Sequence, residues 1–552
     1  MPCQKFTVPC PGRCVRVTLA IEAALLLSAS ILEPARAQTR PQSPAELPPV
    51  VVKQHKPKVS KRAGKPAPHP APGEERQRQA EPAASPVPAA PTGPSANITA
   101  TEGSDSYASD HVAVGGKVPV EFKESTQSTS VITYRRLRDQ NLNTVEEALN
   151  QTMGLTVNPT GSGLAQILMR GYFLDTIQVD GMPYLLSTGL LANAADMSPY
   201  DHVEVLHGAD GMFQGSGYPG GVINLERKHA LDHAQVLTSA GAGSWGLHRG
   251  MLDATGPLTE NGTVRGRLVT TYQERDFFYS EAHERKELFY GTLEADLTKS
   301  ATVSIGALRQ DTGSTPFFGL PAFSNGLQAG LARSTFAGAD WNRDDQSMTD
   351  YFADFEYRFS NGGHIKLSGR EIERSRDAKY AYVAAAANPV TGAVPIATTA
   401  SLYDVEQSDA DAHLYLPFSF FGLKQSILAG ADYKRYDSDF SSGTGPSVSQ
   451  NIFALTPHIA EPAIGYRSRT GVVTEQTGLY GQLRLKPLPW TTFVLGGRVT
   501  NWENTTHNLM THAVTLDYSI DGRKTPYAGL IIDLTPQVSL YGSYTDIFSP
   551  QG

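Results

Sequence analysis

The longest regular pattern in the chain is an alternation of apolar and polar residues that runs from about Ala234 to Phe548. Between Thr263 and Arg275, for example, one face is mostly apolar and the opposite face is mostly polar or charged. A period of two places alternate side chains on opposite faces of a β-strand. Segments of this kind, about ten residues long, recur at about 13 places, which is the pattern of a transmembrane β-barrel with an apolar outer face.

The connections between these segments are of two kinds. Short turns lie at 260–262 and 360–363, whereas long polar insertions lie near 312–347, 383–401 and 440–472. A membrane barrel has two unequal ends of this kind. A soluble β-sandwich or propeller is the alternative, because the alternation does not show which face is inside. The unequal connections favour the barrel.

Residues 1–37 predict an export signal. Positive charge at Arg13 and Arg16 precedes an apolar run from Val17 to Leu32, and Ala35-Arg36-Ala37 matches a cleavage site. All three cysteines lie within this segment, so we expect no disulfide and no thiol chemistry in the mature chain. No later stretch has the roughly 18 to 20 continuous apolar residues of a membrane helix.

Residues 38–105 predict a disordered linker. The stretch is rich in proline and alanine and cannot bury enough apolar surface to offset the entropy lost on ordering. One apolar, extended segment interrupts it, and such a segment can add a strand to another protein's sheet. Its residues are Leu47, Pro48, Pro49, Val50, Val51 and Val52.

The net charge of −8 gives no broad basic surface, which argues against nucleic acid as a partner.

A small α/β unit is predicted between the linker and the alternating region. Residues 127–133 predict a strand, and Asn143 with Glu146 predicts the capped start of a helix that ends at Gly154. Asp180-Gly181 predicts a tight hairpin turn. The sequence contains no hydrolase or metalloprotease motif, and its histidines lack the spacing of metal ligands.

The stretch Tyr200–Lys228 predicts two strands on either side of a glycine-rich turn region. The first strand alternates, with Val203 and Val205 on one face and Glu204 on the other. Residues 215–220 match the dinucleotide-binding pattern G-x-G-x-x-G, but β-branched residues follow where that site needs the start of a helix. The context therefore argues against a nucleotide site.

Four motifs in this region occur in a fixed order. They are Arg170-Gly171-Tyr172, Val179-Asp180-Gly181-Met182-Pro183, Val203-Glu204-Val205-Leu206 and Gly220-Gly221-Val222-Ile223-Asn224. In this order they resemble the plug domain of TonB-dependent outer-membrane receptors, and the chain from about Ser106 onward resembles the ferric-siderophore branch of that family. Three residues depart from the family pattern: His207 replaces the usual arginine, Tyr218 replaces asparagine, and Glu226 replaces a small apolar residue.

The resemblance implies a mostly β fold, with an α/β plug domain at 106–230 inside an antiparallel transmembrane β-barrel at 231–552. The family barrel has about 22 strands, against about 13 predicted here, so we expect a C-terminally truncated receptor. The expected function is uptake of a ferric siderophore at the bacterial outer membrane, without chemical turnover. The alternatives are a receptor for haem, cobalamin or another scarce solute, a truncated remnant that does not transport, and a soluble exported β-protein.

The resemblance also implies partners. Residues 47–52 resemble the TonB box, which binds the energy-transducing protein TonB, and His111–Val114 is a second candidate. Outer-membrane lipid would surround the barrel. Because a siderophore arrives with its iron already chelated, we expect neither a cofactor nor metal ligands in the receptor.

Two groups of site residues follow from the resemblance. The plug motif residues are Arg170, Gly171, Asp180, Gly181, Glu204, Gly220 and Gly221. Ligand-binding residues are expected in the apical plug loops and in a long barrel loop that resembles those of hydroxamate- and pyoverdine-type receptors. They are Gln166, Tyr172, Tyr184, Phe317, Phe318, Trp341 and Arg343.

Overall fold

The computed structural model describes residues 97–161, 164–174, 176–185, 190–192 and 195–550. The predicted signal peptide, most of the predicted linker and the predicted TonB box at 47–52 lie outside these described residues. Among the residues that are described, no helix is long and apolar enough to cross a membrane.

The plug contains short strands and helices. Its strands are β1 (His111–Val112), β2 (Val120–Glu121), β3 (Ser128–Ile132), β4 (Leu155–Gly161), β5 (Leu164–Met169), β6 (Tyr172–Phe173), β7 (Thr176–Val179), β8 (Met182–Leu185), β9 (Leu190–Ala192), β10 (Tyr200–His207) and β11 (Val222–Arg227). Its helices are a 3₁₀ turn (Phe122–Glu124), α1 (Tyr134–Asp139), α2 (Val145–Asn150) and α3 (Gly211–Gln214). The main sheet has the strand order β3-β10-β11-β7-β8.

Strand β10 lies inside this sheet and is buried on both faces. Val203 and Val205 pack into the main plug core with helix α2, as the alternation predicts. Leu206, on the opposite face, packs against Val112 and Val114. The strand thus separates the plug core from the stretch of chain that leads into the plug.

Helix α2 begins one residue later than predicted. Thr144, not Asn143, is the N-cap, and Glu147, not Glu146, completes the capping box. Both pairs have the same spacing, so the capping rule alone does not distinguish them. With Thr144 as the N-cap, Val145 and Leu149 are buried, and this packing determines where the helix begins.

The Asp180-Gly181 turn is confirmed and has a second role. Both residues have positive φ, 51° and 74°, and they connect β7 to β8. The Asp180 carboxylate also accepts hydrogen bonds from the backbone and side chain of Arg227, at 2.8 and 2.5 Å. The turn therefore ties the β7–β8 hairpin to the end of β11.

The wall of the barrel is one long antiparallel sheet. Its strands are β12 (Gln235–Ala242), β13 (His248–Pro257), β14 (Val264–Asp276), β15 (His283–Asp296), β16 (Ala301–Ser314), β17 (Arg343–Arg358), β18 (His364–Val383), β19 (Ala393–Phe420), β20 (Leu423–Thr444), β21 (Val448–Asn451), β22 (Ser468–Leu488), β23 (Thr491–Asn508), β24 (Ala513–Asp533) and β25 (Ser539–Thr545). The strands pair in sequence order, except that β21 pairs with β19 and lies off the main path; β12 and β25 form the two edges.

The faces of the wall are as the alternation predicts. Leu268 and Phe289 point outward and are exposed, whereas Arg267 and Asp253 on the inner face are buried against the plug. The ends also differ as predicted, with short turns at one end. The predicted insertion at 383–401 is wrong in extent, because β19 begins at Ala393.

Packing begins before the predicted end of the linker at residue 105. Thr99 and Thr101 are buried, and the backbone N–H of Thr101 donates to Asp201 at 2.7 Å. Glu102 pairs with Arg267 of the wall at 2.6 Å. Residues 99–102 therefore make specific buried contacts, which the polar composition of the stretch does not reveal.

Candidate functional site

A cavity of about 320 Å³ lies between the plug and the inner face of the wall. The plug contributes Tyr218 and Leu185, and the wall contributes Lys434, Tyr436 and Trp502. These wall residues lie in the halves of β20 and β23 that are nearer the long loops. The cavity is therefore on the side of the plug that faces the long-loop end of the barrel.

Glycine allows the plug to approach the wall at the base of this cavity. Gly215 has φ +82°, and a Cβ at this position would lie 2.6 Å from the Gln476 side chain. Ser216 donates to Gln476 Oε1 through its backbone N–H and its hydroxyl, at 3.1 and 2.8 Å. Lys434 Nζ and Gln476 Nε2 both donate to the carbonyl oxygen of Gln214. The turn after α3 is thus fastened to β20 and β22.

Three tyrosines and an arginine lie close to the cavity. The hydroxyls of Tyr403 and Tyr436 are hydrogen-bonded to each other. The Arg374 guanidinium lies 4.8 Å from the ring centre of Tyr184 on β8. Its Nε and Nη2 atoms are buried without a hydrogen-bond partner among the described residues. Together with Lys434, these groups can offer aromatic surfaces and cationic hydrogen-bond donors to a polar, negatively charged ligand.

The structure pairs the plug strands β5 and β9, which flank the predicted apical loops. Strand β5, which contains Gln166, pairs with β9, and Gln166 lies opposite Leu190. Tyr184 is on β8, before the loop that leads to β9, and contacts Arg374. Tyr172 is about half exposed, at 49%. Of the three predicted plug residues, Tyr184 is the one that contacts Arg374, and none of the three lines the cavity.

The four residues predicted in the long barrel loop contact neighbouring loops and the ends of wall strands. Phe317 packs against Tyr279, with ring centres 4.5 Å apart, and Phe318 packs against Tyr380, at 5.1 Å. The indole N–H of Trp341 donates to the backbone oxygen of Ile459 at 2.7 Å. These aromatic residues hold the loops and the upper strands together.

The fourth, Arg343, forms an ion pair with Glu461 at 3.3 Å, and both side chains are partly exposed. Glu461 also accepts from Lys379 at 2.7 Å. Arg343 therefore links the start of β17 to the loop before β22.

Buried charges cluster on the plug strands β10 and β11. Burial raises the pKa of Glu226 to about 7, and the negative charges of Asp180 and Glu204 act in the same direction. Burial also disfavours the ionised form of Asp180, but Arg227 outweighs it and lowers the pKa of Asp180 to about 2. Within the described residues, no group of acidic, histidine or cysteine side chains is arranged to hold a metal ion.

Comparison with protein families assigns both parts of the chain. Residues 253–552 match the family described as TonB dependent receptor-like, beta-barrel, and residues 121–222 match the TonB-dependent Receptor Plug Domain. The chain belongs to the TonB-dependent receptor family. It is thus an outer-membrane protein, and the predicted fold class of an α/β plug with an antiparallel β-barrel is confirmed.

Several similar proteins are receptors for iron-carrying siderophores. The Ferric-pyoverdine M114 receptor PbuA of Pseudomonas sp. (strain M114) is 35% identical over 479 residues, which are 82% of this chain and 57% of that protein. The Ferripyoverdine receptor of Pseudomonas aeruginosa is 32% identical over 471 residues, which are 82% of this chain and 56% of that protein. The crystal structure of the ferripyoverdine receptor of the outer membrane of Pseudomonas aeruginosa, bound to ferripyoverdine, has a TM-score of 0.77 at 29% identity, over 82% of this chain and 61% of that one. The chain therefore spans less than two thirds of the length of these relatives.

The plug glycines of this receptor permit close backbone contacts. A Cβ on Gly220 would lie 2.6 Å from the backbone oxygen of Met169, and one on Gly221 would lie 2.3 Å from that of Leu206. Arg170 and Gly171 both have positive φ, in the turn between β5 and β6. His207, which replaces the usual arginine of TonB-dependent receptors, lies 3.1 Å from the Ser130 hydroxyl.

Sequence reasoning missed the wall residues of the cavity. Lys434, Tyr436 and Trp502 lie on strands that the alternation predicts, and Arg374 lies on another. The alternation could have predicted that these residues face the inside of the barrel. The height of the plug within the barrel was not available from the sequence, and it decides which inward residues meet the plug.

Proposed function

We propose that this chain carries the ligand-binding part of a receptor for TonB-dependent uptake of a ferric siderophore of the pyoverdine type. The observation that supports this most directly is the cavity between plug and wall, where Lys434, Tyr436 and Trp502 face Tyr218. The names of the relatives support the siderophore class. The chain shares both of its domains with them.

The chemistry of the cavity fits a large polar ligand that brings its own iron. A chelated ferric ion needs no ligands from the protein, and the siderophore needs surfaces to stack on and donors for its oxygen atoms. Tyr436 and Trp502 supply aromatic surface, and Lys434 and Arg374 supply positive charge. Binding and release are then the whole cycle on the receptor side, with no bond made or broken.

The predicted loop residues would complete the site from above. Trp341 and Arg343 belong to segments that meet the loop before β22. Gln166 lies on β5, which pairs with β9, and Tyr172 lies on the adjacent β6. We propose that these segments close over a siderophore seated on the cavity.

TonB is proposed to bind at Leu47–Val52. The second candidate, His111–Val114, has Val112 and Val114 buried against Leu206. A buried segment is not free to add a strand to a partner's sheet, so the first candidate remains the better one. Energy from the inner membrane would then reach the plug through the intervening chain.

The test is a binding assay on outer-membrane fractions of cells that express the chain, with radiolabelled ferripyoverdine as the probe. We expect saturable binding that excess unlabelled ferripyoverdine displaces and that haemin and cyanocobalamin do not. Lys434→Gln should weaken binding about tenfold, because a charged donor is lost from a buried site. Lys424→Gln, an exposed position on the same strand, is the matched control. Displacement by haemin or cyanocobalamin would assign the receptor to that solute, and absence of all binding would contradict the proposal.

A further inference from the structure

Two carboxylates of strand β10 hold chain segments that precede the plug sheet. Asp201 and Glu204 are almost fully buried, at 3% and 0% exposure. Neither belongs to the cavity described above. Each accepts hydrogen bonds from backbone atoms about 90 to 100 residues earlier in the sequence.

Glu204 holds the segment 111–114. Its Oε1 accepts from the backbone N–H of Ala113 at 2.9 Å, and its Oε2 accepts from that of Val114 at 2.8 Å. Asn224 donates to the same carboxylate at 3.1 Å. Each of the two backbone donors thus meets a different oxygen of one charged acceptor, which makes both hydrogen bonds strong.

Asp201 holds the segment 99–102. Its Oδ2 accepts from the backbone N–H of Thr101 at 2.7 Å and from the Thr101 hydroxyl at 3.2 Å. The next residue, Glu102, makes a two-point ion pair with Arg267 on β14, with both distances 2.6 Å. This segment is therefore fixed to the plug and to the wall.

A buried histidine balances the two carboxylates. His202 Nδ1 lies 2.6 Å from Asp201, and its Nε2 lies 3.5 Å from Glu204. Burial lowers the pKa of His202, but the hydrogen bonds and charges of Asp201 and Glu204 outweigh this and raise it well above the ordinary value. The imidazolium thus keeps two anions compatible with a dry interior.

We propose that Asp201 and Glu204 form a two-stage clasp on the chain leading into the plug, in which Asp201 holds 99–102 and Glu204 holds 111–114. Because 99–102 comes first in the sequence, a pull from the upstream chain loads the Asp201 stage before the Glu204 stage. Both stages open before a pull along the chain reaches β3, the first strand of the plug sheet in sequence. Opening the second stage also uncovers Val112 and Val114, which pack against Leu206.

The experiment measures how fast engineered cysteines react with a maleimide in the full chain. Cys3, Cys10 and Cys14 are first replaced by serine, and single cysteines are placed at Thr99, at Val112 and at Ala148, all of which are buried. The first two report the two stages, and the third reports unfolding of the plug core. Each reporter is combined with Asp201→Asn, with Glu204→Gln and with the control Glu226→Gln, which lies near Asn224 and touches neither segment.

The clasp predicts a crossed pattern. Glu204→Gln should raise labelling at position 112 about tenfold or more and leave position 99 within about twofold, and Asp201→Asn should do the reverse. The control variant should change neither. Equal acceleration at both positions, or at neither, would overturn the proposal. If Glu204→Gln also exposes position 148, Glu204→Asp carries the test, because it keeps the charge beside His202 and shortens the reach to the two amides.

Discussion

The plug strand β10 and the wall strands share an alternating sequence pattern, but their faces contact different surroundings. In the plug, the two faces of β10 are both buried, and its charged residues meet backbone amides and one another. In the wall, Leu268 and Phe289 point outward and are exposed. On the inner face, Arg267 and Asp253 are buried together with Val269. Periodicity therefore identifies strands, whereas the surroundings on each side decide which face must be apolar.

Ion pairs join the plug to the inner face of the wall. Arg267 of the wall contacts Asp253 on the neighbouring strand and Glu102 at the start of the plug, with distances of 2.6 to 2.8 Å. Lys228 at the end of β11 also reaches Asp253, at 2.9 Å. Wall residues such as Val269 and Tyr290 also pack into the plug core, so ion pairs and apolar contacts together hold the plug in the barrel.

The largest expected effect comes from breaking this junction. Arg267→Met leaves Glu102 without its cation and Asp253 with Lys228 alone, which costs about 3–5 kcal/mol. We expect the free energy of plug unfolding to fall by this amount and the urea midpoint to fall with it. Pulse labelling of a cysteine placed at Ala148 measures the midpoint. The matched control is Arg309→Met on the outer face of β16, whose pair with Asp311 is about half exposed. An exposed pair contributes less than about 1 kcal/mol. Equal losses in the two variants would contradict the distinction between the inner and outer faces.

A second prediction concerns a charge inside the plug. The pKa of Glu226 is raised from its ordinary value of 4.5 to about 7, first by burial and then by Asp180 and Glu204. Between these pH values the folded plug binds a proton that the unfolded chain does not bind. Stability therefore falls as the pH rises from about 4.5 to about 7, by at most about 3 kcal/mol from this group.

Glu226→Gln should remove this contribution, because the amide oxygen still accepts from Asn224, 2.6 Å away in the native plug. The variant should gain stability over the native chain at pH 8 and show little difference at pH 4.5, in the same pulse-labelling assay. Burial also raises the pKa of Asp210 to about 7, so a second slope of the same sign remains in the variant. An unchanged difference between pH 4.5 and pH 8 would show that Glu226 does not titrate in this range.

The long alternation of the wall was predictable from the sequence, and single positions in the plug were not. The strands around Arg267 and Tyr480 follow the predicted faces because many consecutive residues repeat the same choice. The cap of α2 was wrong by one residue because Asn143 and Thr144 have acidic residues at the same spacing, and burial of Val145 selects Thr144. The capping rule fits both positions equally well, and tertiary packing decides between them.

The cavity shows a different limit. Tyr184 came from the family resemblance and lies beside Arg374, but Lys434 and Trp502 needed the pairing register and the height of the plug. The partner of Glu204 was equally hidden, since Ala113 and Val114 are far away in sequence and contribute only backbone amides. Contacts to backbone atoms leave no signature in side-chain patterns.

The smallest expected effect lies where the wall meets solvent. Arg343 and Glu461 pair at 3.3 Å with both side chains partly exposed, so water screens the attraction and ordering two long side chains offsets it. Arg343→Gln should leave the unfolding midpoint unchanged within error, in contrast to Arg267→Met. If Arg343 contacts the ligand, as the resemblance implies, the same variant should weaken ferripyoverdine binding severalfold at unchanged stability. Normal binding by the variant would show that Arg343 does not contact the ligand and only links its loop to Glu461. Lys379→Gln, the other partner of Glu461, is the matched control for the loss of that pairing.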